Sequence, residues 1–480
     1  MAMKQNRRDF LKTGAAAGVG FWVAGGLQAA PSKSPNEKIN VAGIGCGGKG
    51  HSDIMKCAGA GQNVIAGCDI DSGRANALAG DVEKKSGKRP QLFEDYRVML
   101  DKLGKEIDAV TVSVPDHSHA CAAAMAIRMG KHAYVQKPLT HTVEEARVLR
   151  KLARENKVCT QMGNQGTTLD SLRTGVEIVQ SGVIGDVGEV HVWSNRPVWP
   201  QGAEMTRKFE AGKGATPPAN FNFNLWLGPA SERPFNGAYG HFIWRGFWDF
   251  GTGALGDMAC HTMNLPFWAL SLEYPTSIQA TVPAVYEVTP PEWSTITFEF
   301  PERTVVKTGK KLPPVTLTWY DGNTRAGALP QEKKAYAEVG RKYGVEMGKN
   351  GESGSLFVGT KGALWSPGDY ANDIRLLPGD TFPGNYKSHA PKPWLPRHNG
   401  GDMDQNQTNE WLEAIRHDKP DLAMSNFEYA AYFTEIILLG NLAMRVPGKK
   451  IGWDGPAMKS PDVAAANQYV SMAYRQGYKL

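Results

Sequence analysis

The stretch from Lys38 to Asp71, KINVAGIGCGGKGHSDIMKCAGAGQNVIAGCDID, constrains the fold more than any other part of the chain. It opens with an apolar run, Ile39 to Ala42, of the length and composition of a buried parallel strand. Glycines follow at 43, 45 and 48 in G-x-G-x-x-G spacing, then a segment with helical apolar spacing, then a second apolar run, Val64 to Cys68, ending in Asp69. Glycine-rich turns are common. Here the strand before, the helix after and the acid beyond together predict a βαβ unit that seats a dinucleotide. In that reading Gly43 permits the tight turn, Gly45 lets the backbone approach a pyrophosphate, and Gly48 allows helix and strand to pack closely. The N–H groups at the helix start face the phosphates. Asp69 accepts from ribose hydroxyls and repels a 2′-phosphate, by roughly 4 kcal/mol for unit charges ~4 Å apart at an effective dielectric of about 20. NAD is the expected cofactor and NADP the less favoured one, with Arg74 partly offsetting the repulsion.

At 480 residues the chain exceeds one ordinary core, and two domains are expected. Asn6-Arg7-Arg8-Asp9-Phe10-Leu11-Lys12 is a twin-arginine pattern, followed by a Gly/Ala-rich run to Leu27 and small residues Ala29 and Ala30. Residues 1–30 are therefore expected to be a twin-arginine export signal, which places the protein in the periplasm. Residues 31–37 read as a linker. The signal carries Lys4, Arg7, Arg8 and Lys12 against Asp9, so it holds half of the net charge of +6. The remainder shows no basic stripe for nucleic acid and no apolar run long enough for a membrane span. Cysteines at 46, 57, 68, 121, 159 and 260 lack zinc-type spacing. Proteins exported this way fold before export, in a reducing compartment, so free thiols are expected.

From residue 38 to 187, apolar runs alternate with helical stretches: Gln91–Phe93, Ala109–Val114, His132–Val135 and Val158–Met162 are strands, with helices between them. That alternation is the signature of an α/β doubly wound parallel sheet, the Rossmann arrangement. From 188 to 480 the texture changes to Thr-, Val- and aromatic-rich runs such as Val190–Ser194, Thr276–Val282, Thr295–Phe300 and Val315–Tyr320. An α+β domain of mostly antiparallel sheet with inserted helices is expected there. Residues 321–351 and 366–400 are long and irregular, as functional or covering loops often are. Asp404–Arg416 and Asn426–Arg445 read as amphipathic helices.

Three clusters carry candidate chemistry. Gln136-Lys137-Pro138 ends a strand, and a lysine beside a bound dinucleotide can donate to a substrate hydroxyl oxygen. Asp257 and His261, four apart, share one helix face. A histidine oriented by a carboxylate suits removal of a hydroxyl proton, although a helix cap and a core histidine would show the same spacing. Asp116, His117 and His119 follow Pro115 at a strand end. Their spacing does not suit a metal, and the loop is expected to line the nicotinamide pocket.

The glycine loop, PDHSH, QKPLT and GTGALGDMACHTMN, in that order, resemble the glucose–fructose oxidoreductase / inositol dehydrogenase (Gfo/Idh/MocA) family. The text from EWLEAIRHDKP through LLGNLAMRVPGKKIGWD to YRQGYKL resembles its bacterial-type C-terminal domain. The resemblance implies a Rossmann domain followed by an open-faced sheet often used in homo-oligomerisation. It implies Lys137 as the lysine of the family's E-K-P motif, Asp257 and His261 as its D-x-x-x-H pair with His261 the acid/base, and His119 as a pocket-facing histidine beside Pro115. One departure is Gln136, where the family usually has Glu. A neutral amide there is expected to lower the pKa of Lys137.

Trp193, Trp199, Trp226, Trp244, Trp248 and Trp268 crowd the region around the candidate helix. Most are expected to pack core and loops, while Trp244 and Arg245 are the picks for substrate contact. The main expectation is an NAD-dependent oxidoreductase acting on a secondary alcohol of a sugar, glycoside or cyclitol, with its cofactor tightly bound. Two alternatives remain open: a redox-assisted glycoside-cleaving enzyme with no net cofactor turnover, and a non-catalytic sugar-binding protein that keeps the cofactor site.

Overall fold

The computed structural model describes residues 38–305, 309–322, 340–345 and 353–480. The expected signal, the linker and most of the 321–351 loop lie outside the described residues.

The first half alternates strand and helix: β1 (Asn40–Ile44), α1 (Lys49–Gly59), β2 (Asn63–Cys68), α2 (Ser72–Ser86), β3 (Gln91–Phe93), α3 (Tyr96–Leu103), β4 (Ala109–Val112), α4 (Asp116–Arg128), β5 (His132–Val135), α5 (Val143–Asn156) and β6 (Thr160–Met162). The strands form one parallel sheet in the order β3-β2-β1-β4-β5-β6. Every residue of β4 is buried, as in a strand covered on both faces. The strand order reverses between β1 and β4, so the carboxyl ends there open a crevice.

After α6 (Asp170–Ser181) the chain enters a second sheet through β7 (Val187–Trp193). The helices α7 (Gly202–Ala211), α8 (Phe223–Leu227), α9 (Gly253–Thr262) and α10 (Asn264–Ala269) follow. Then come β8 (Ser277–Thr281), β9 (Thr295–Phe300), the short pair β10 (Arg303–Thr304) and β11 (Lys311–Leu312), and β12 (Val315–Tyr320). β13 (Gly354–Gly359), β14 (Ala363–Pro367), β15 (Arg375–Leu377) and β16 (Ile451–Gly452) complete an eight-stranded sheet, ordered β15-β14-β13-β7-β12-β9-β8-β16. It is antiparallel except for the parallel pairing of β7 with β12. Alternation sets its inner face: Ile296, Phe298 and Phe300 of β9 and Val315, Leu317 and Trp319 of β12 are buried.

The helices α11 (Met403–His417) and α12 (Phe427–Arg445) return to the first sheet. Trp411 and Leu412 of α11 pack with Ile39, Val41 and Tyr134, and the Trp411 indole donates to Cys159 O at 3.1 Å. Met162 N donates to Ser425 O at 2.9 Å, which covers the outer edge of β6. Arg147 of α5 makes a two-pronged contact with the buried Glu435 of α12 (2.9 and 2.6 Å). All six cysteines are buried and free. No described helix is long and apolar enough to cross a membrane.

Because Trp411 is fully buried in a small cluster shared with β1 and β5, Trp411→Ala should cost about 3–5 kcal/mol of folding free energy. Denaturant titration measures it; a loss below about 1 kcal/mol would show that α11 is not part of this core.

Candidate active site

The glycine loop is shaped by close contacts rather than by glycine content alone. Gly45 has φ +90°, and a Cβ there would stand 2.2 Å from Ser113 O of the neighbouring strand end. Gly48, the residue before α1, has φ +54° and ψ −118°, and a Cβ there would meet nothing within 4 Å. Its side is open, so the N-terminus of α1, which has no side-chain cap and no acid in its first turn, faces the crevice. Close helix–strand packing falls to other glycines than expected. A Cβ on Gly50 would lie 2.1 Å from Gly45 O, and one on Gly43 would lie 2.1 Å from Ile54 Cδ1. Gly43 sits inside β1 and does not line the crevice; Gly45 and Gly48 do.

Beyond β2, Asp69 accepts from the backbone N–H of Cys46 at 2.7 Å and of Asp71 at 2.9 Å. One carboxylate thus fixes the glycine loop and the strand end together. Burial pushes the Asp69 carboxyl up despite those bonds. Arg74 lies against Gly47, and a segment of the second half covers this end. Asn222 N donates to Ile70 O at 3.1 Å, the Asn220 amide donates to Asp71 at 3.0 Å, and His241 Nε2 lies 3.4 Å from the same carboxylate.

A cavity of about 570 Å³ runs from this loop to the covering segment and α9. Asp69, Pro115, His119, Lys137, Trp244, Arg245, Asp257 and His261 all line it. Lys137 Nζ, at the end of β5, donates to Asp257 Oδ1 at 2.6 Å and to Asp257 O at 2.9 Å. Arg245 Nε lies 3.3 Å from the same oxygen, and its Nη1 donates to both oxygens of the fully buried Asp116 at 2.9 and 3.0 Å. Asp116 is held in turn by Thr252 N and Oγ1 at 3.0 and 2.7 Å. Burial alone would raise the Asp257 carboxyl, but Lys137 and Arg245 outweigh it and hold it well below the usual carboxylate range. The Arg245 guanidinium also stacks on Trp244, 4.4 Å from the ring centroid.

His261 departs from the expected pairing. Asp257 serves Lys137 and Arg245, and the buried Nδ1 of His261 has no hydrogen-bond partner among the described residues. Tyr370 packs edge-on to the imidazole, with centroids 4.7 Å apart. Burial first, and the Lys137 charge second, pull the His261 pKa well below its ordinary value, so the ring is neutral near pH 7. His119 places one ring nitrogen 2.8 Å from Pro138 O and the other 2.8 Å from Val114 O, which ties the α4 start to the Lys137 loop. His117 is buried against Phe250 O and Trp226 O, away from the cavity.

Gln136 turns from Lys137 and donates to Asp53 Oδ2 at 2.8 Å. Sequence reasoning missed Lys49, Gln165, Arg196, Phe242 and Tyr370, which also line the cavity. Lys49 sits directly after Gly48 and could have been found from the loop itself. Tyr370 lies in an irregular segment whose pattern carries no signal. Of the six tryptophans, Trp226 and Trp244 line the cavity, while Trp193, Trp199 and Trp248 are buried packing groups.

Residues 38–164 match the oxidoreductase family with an NAD-binding Rossmann fold, Gfo/Idh/MocA, and residues 177–312 match its C-terminal alpha/beta domain. Together they span more than half of the sequence. The chain belongs to the Gfo/Idh/MocA oxidoreductase family. As in the Gfo/Idh/MocA fold, the parallel sheet precedes a mixed, mostly antiparallel one. The WlbA dehydrogenase from Bordetella pertussis, solved with NADH and UDP-GlcNAcA, superposes with a TM-score of 0.55 at 17% identity, covering 87% of this chain and 99% of that one. An inositol dehydrogenase homolog from Azotobacter vinelandii, solved with NADH and myo-inositol, gives 0.52 at 14% identity, with 87% and 98% covered. These likenesses show the fold. A glycosyl hydrolase family 109 protein from Akkermansia muciniphila is 31% identical over 157 residues, 32% of either chain. The match spans about a third of that curated relative's length.

The neutral His261 sets a testable titration. Its folded pKa lies below the unfolded value of about 6.5, so the unfolded chain binds a proton that the folded chain excludes. Stability is full above that value and falls as pH drops below it. NMR of the imidazole resonances should show no His261 titration between pH 8 and 6; a midpoint near 6.5 would contradict the site's electrostatics.

Proposed function

We propose that this Gfo/Idh/MocA protein is an NAD-dependent oxidoreductase acting on a secondary alcohol of a sugar, glycoside or cyclitol. The observation that carries this reading is that Lys137 and His261, from the two halves of the chain, line one cavity with the glycine loop. The residues fit a dinucleotide. The open side of Gly48, the close approach at Gly45 and the uncapped α1 N-terminus suit a diphosphate, and a carboxylate at the end of β2, Asp69, suits the hydroxyls of an adenosine ribose. The Asp69 and Asp71 carboxylates favour NAD over NADP, because a 2′-phosphate beside them would be repelled. The cover built from Asn220, Asn222 and His241 supports a cofactor that is retained rather than exchanged.

A bound nicotinamide would supply the acceptor and donor of hydride. The chain's own work is to bind the alcohol and manage its proton. Lys137, fixed by Asp257, offers N–H to the reacting oxygen and stabilises negative charge as it develops there. His261, held neutral, takes the hydroxyl proton as general base and returns it as general acid in the reverse direction. Asp257 supplies the counter-charge that keeps Lys137 in place. Trp244 and Arg245 border the same space, where an aromatic face suits a pyranose ring.

A second reading, redox-assisted glycoside cleavage with no net use of cofactor, is favoured by the likeness to proteins named as glycosyl hydrolase family 109. Under that reading the same lysine and histidine would act, and transient oxidation would be followed by elimination, water addition and re-reduction. Export by the twin-arginine route belongs to this proposal too, with the cofactor loaded before the protein reaches the periplasm.

Incubation with NAD and candidate sugars, followed at the absorbance of the reduced cofactor, should show net reduction under the first reading. Release of an aglycone without net reduction would select the second. In either assay His261→Ala should lower kcat by roughly 10²–10⁴, and an unchanged rate would remove the histidine from the mechanism. NAD should also bind more tightly than NADP in calorimetry, with Asp69→Ala narrowing the gap; equal affinities in the unmodified protein would overturn the cofactor preference.

A further inference from the structure

Behind Gln136 and Lys49, which line the cavity wall, lies a buried carboxylate that the chemistry above does not use. Asp53 of α1 is only 3% exposed, and Gln136 is 6% exposed. Asp53 Oδ2 accepts from Gln136 Nε2 at 2.8 Å and from Ser113 Oγ at 2.8 Å, while Oδ1 accepts from Lys49 Nζ at 2.6 Å. Lys49 Nζ also reaches Asp404 Oδ1 of α11 at 2.9 Å. The contacts therefore join four parts of the molecule: the first turns of α1, the end of β4, the residue before Lys137 and the start of α11. Gln136 has little room to turn, because a Cβ on Gly163 would stand 2.4 Å from its amide nitrogen.

The polarity of the pair matters. A carboxylate only accepts and an amide nitrogen only donates, so Asp53 and Gln136 are matched in one direction. Ser113, Gln136 and Lys49 all donate to Asp53, and Lys49 divides its ammonium between Asp53 and Asp404. We propose that Asp53 and Gln136 are a positioning pair: the buried carboxylate fixes the Gln136 amide, which sets the strand end that carries Lys137 and locks it to the helix that opens the phosphate site. Lys49 is the third member, compensating the carboxylate from the cavity side and linking it to α11. None of the three is a catalytic residue; they act by holding Lys137 and the α1 N-terminus in register. The inference rests on dinucleotide binding in the crevice.

The test reverses the polarity. In Gln136→Glu two carboxylates would face each other within hydrogen-bond distance and could not both ionise without repulsion. At low pH one of them is protonated and donates as the amide did; at high pH both are charged. The other titratable and charged groups facing this spot are Lys49 and Cys57 of α1, Tyr134 of β5 and Asp404 of α11. Gln136→Glu should therefore bind NAD at least about tenfold more weakly at pH 8 than the unmodified protein, with most of the loss recovered at pH 5.5. Gln136→Glu combined with Asp53→Asn restores one donor and one acceptor, and should bring NAD affinity, measured by calorimetry, back to within about threefold with no such pH dependence. The KM for the alcohol should change less than kcat in the single variant.

Additive losses in the double variant, or a pH-independent loss in Gln136→Glu, would overturn the pair. Should Gln136→Glu fail to fold, Asp53→Asn and the double variant are compared in the same titration. Tighter NAD binding by the double variant supports the pair, and equal or weaker binding overturns it. If the unmodified protein binds no dinucleotide at all, the proposed function fails instead, and the two failures are told apart.

Discussion

Two crossed ion pairs hold the site together. Lys137, from the parallel sheet, reaches Asp257 on the helix that follows the covering segment, while Arg245, from that segment, reaches back to Asp116 at the start of a sheet helix. Arg245 also touches Asp257, so cation and anion alternate across the seam. Ion pairs this deeply buried add little net stability, because desolvation offsets most of the attraction. What they supply is direction. Each half of the chain contributes one cation and one anion, so a displaced half would leave unpaired charge in a poorly hydrated space. The cavity exists at one spacing of the two halves because these four groups are satisfied at one spacing.

That constraint explains how ordinary side chains become useful. A lysine at a strand end is usually a solvated surface group. Here it is held by a carboxylate whose own proton affinity is suppressed, so Asp257 stays ionised and fixes the lysine as a donor. The histidine one helical turn beyond Asp257 has the opposite setting. Burial and the nearby ammonium keep it neutral, which is the form a proton acceptor needs. A shared helix, α9, carries both the group that steadies the lysine and the group that moves the proton.

Much of this was legible from residues alone, for identifiable reasons. The βαβ unit and the strand ends carrying Pro115 and Lys137 announce themselves through periodicity, while the roles of Lys137, Asp257 and His261 come from the family resemblance, since their spacing alone suits a surface lysine, a helix cap and a core histidine as well. The strand ends meet because carboxyl ends of parallel strands face one side, while Asp257 and His261 are brought to the same cavity by a helix of the second half. Other features were not legible. The partner of Asp257 is 120 residues distant, and helix spacing pointed instead to the histidine four residues on. Gln136 read as a neighbour of Lys137, yet alternation along the chain sends its side chain the other way, to Asp53. The close packing expected of Gly48 belongs to Gly50, because the second residue of the helix, and not the residue before it, meets the loop carbonyl. Arg196 and Tyr370 come from segments without periodicity, and only tertiary folding brings them to the wall.

The account stands on a dinucleotide lying in the crevice between the lysine and the histidine. The most direct measurement is native mass spectrometry of the purified protein with and without added NAD, followed by denaturation and identification of what is released. The account predicts one adenine dinucleotide per chain, carried from the cell or taken up on addition, and lost from a variant in which Gly48 is replaced by a bulky residue. A protein that neither carries nor takes up a dinucleotide would contradict it.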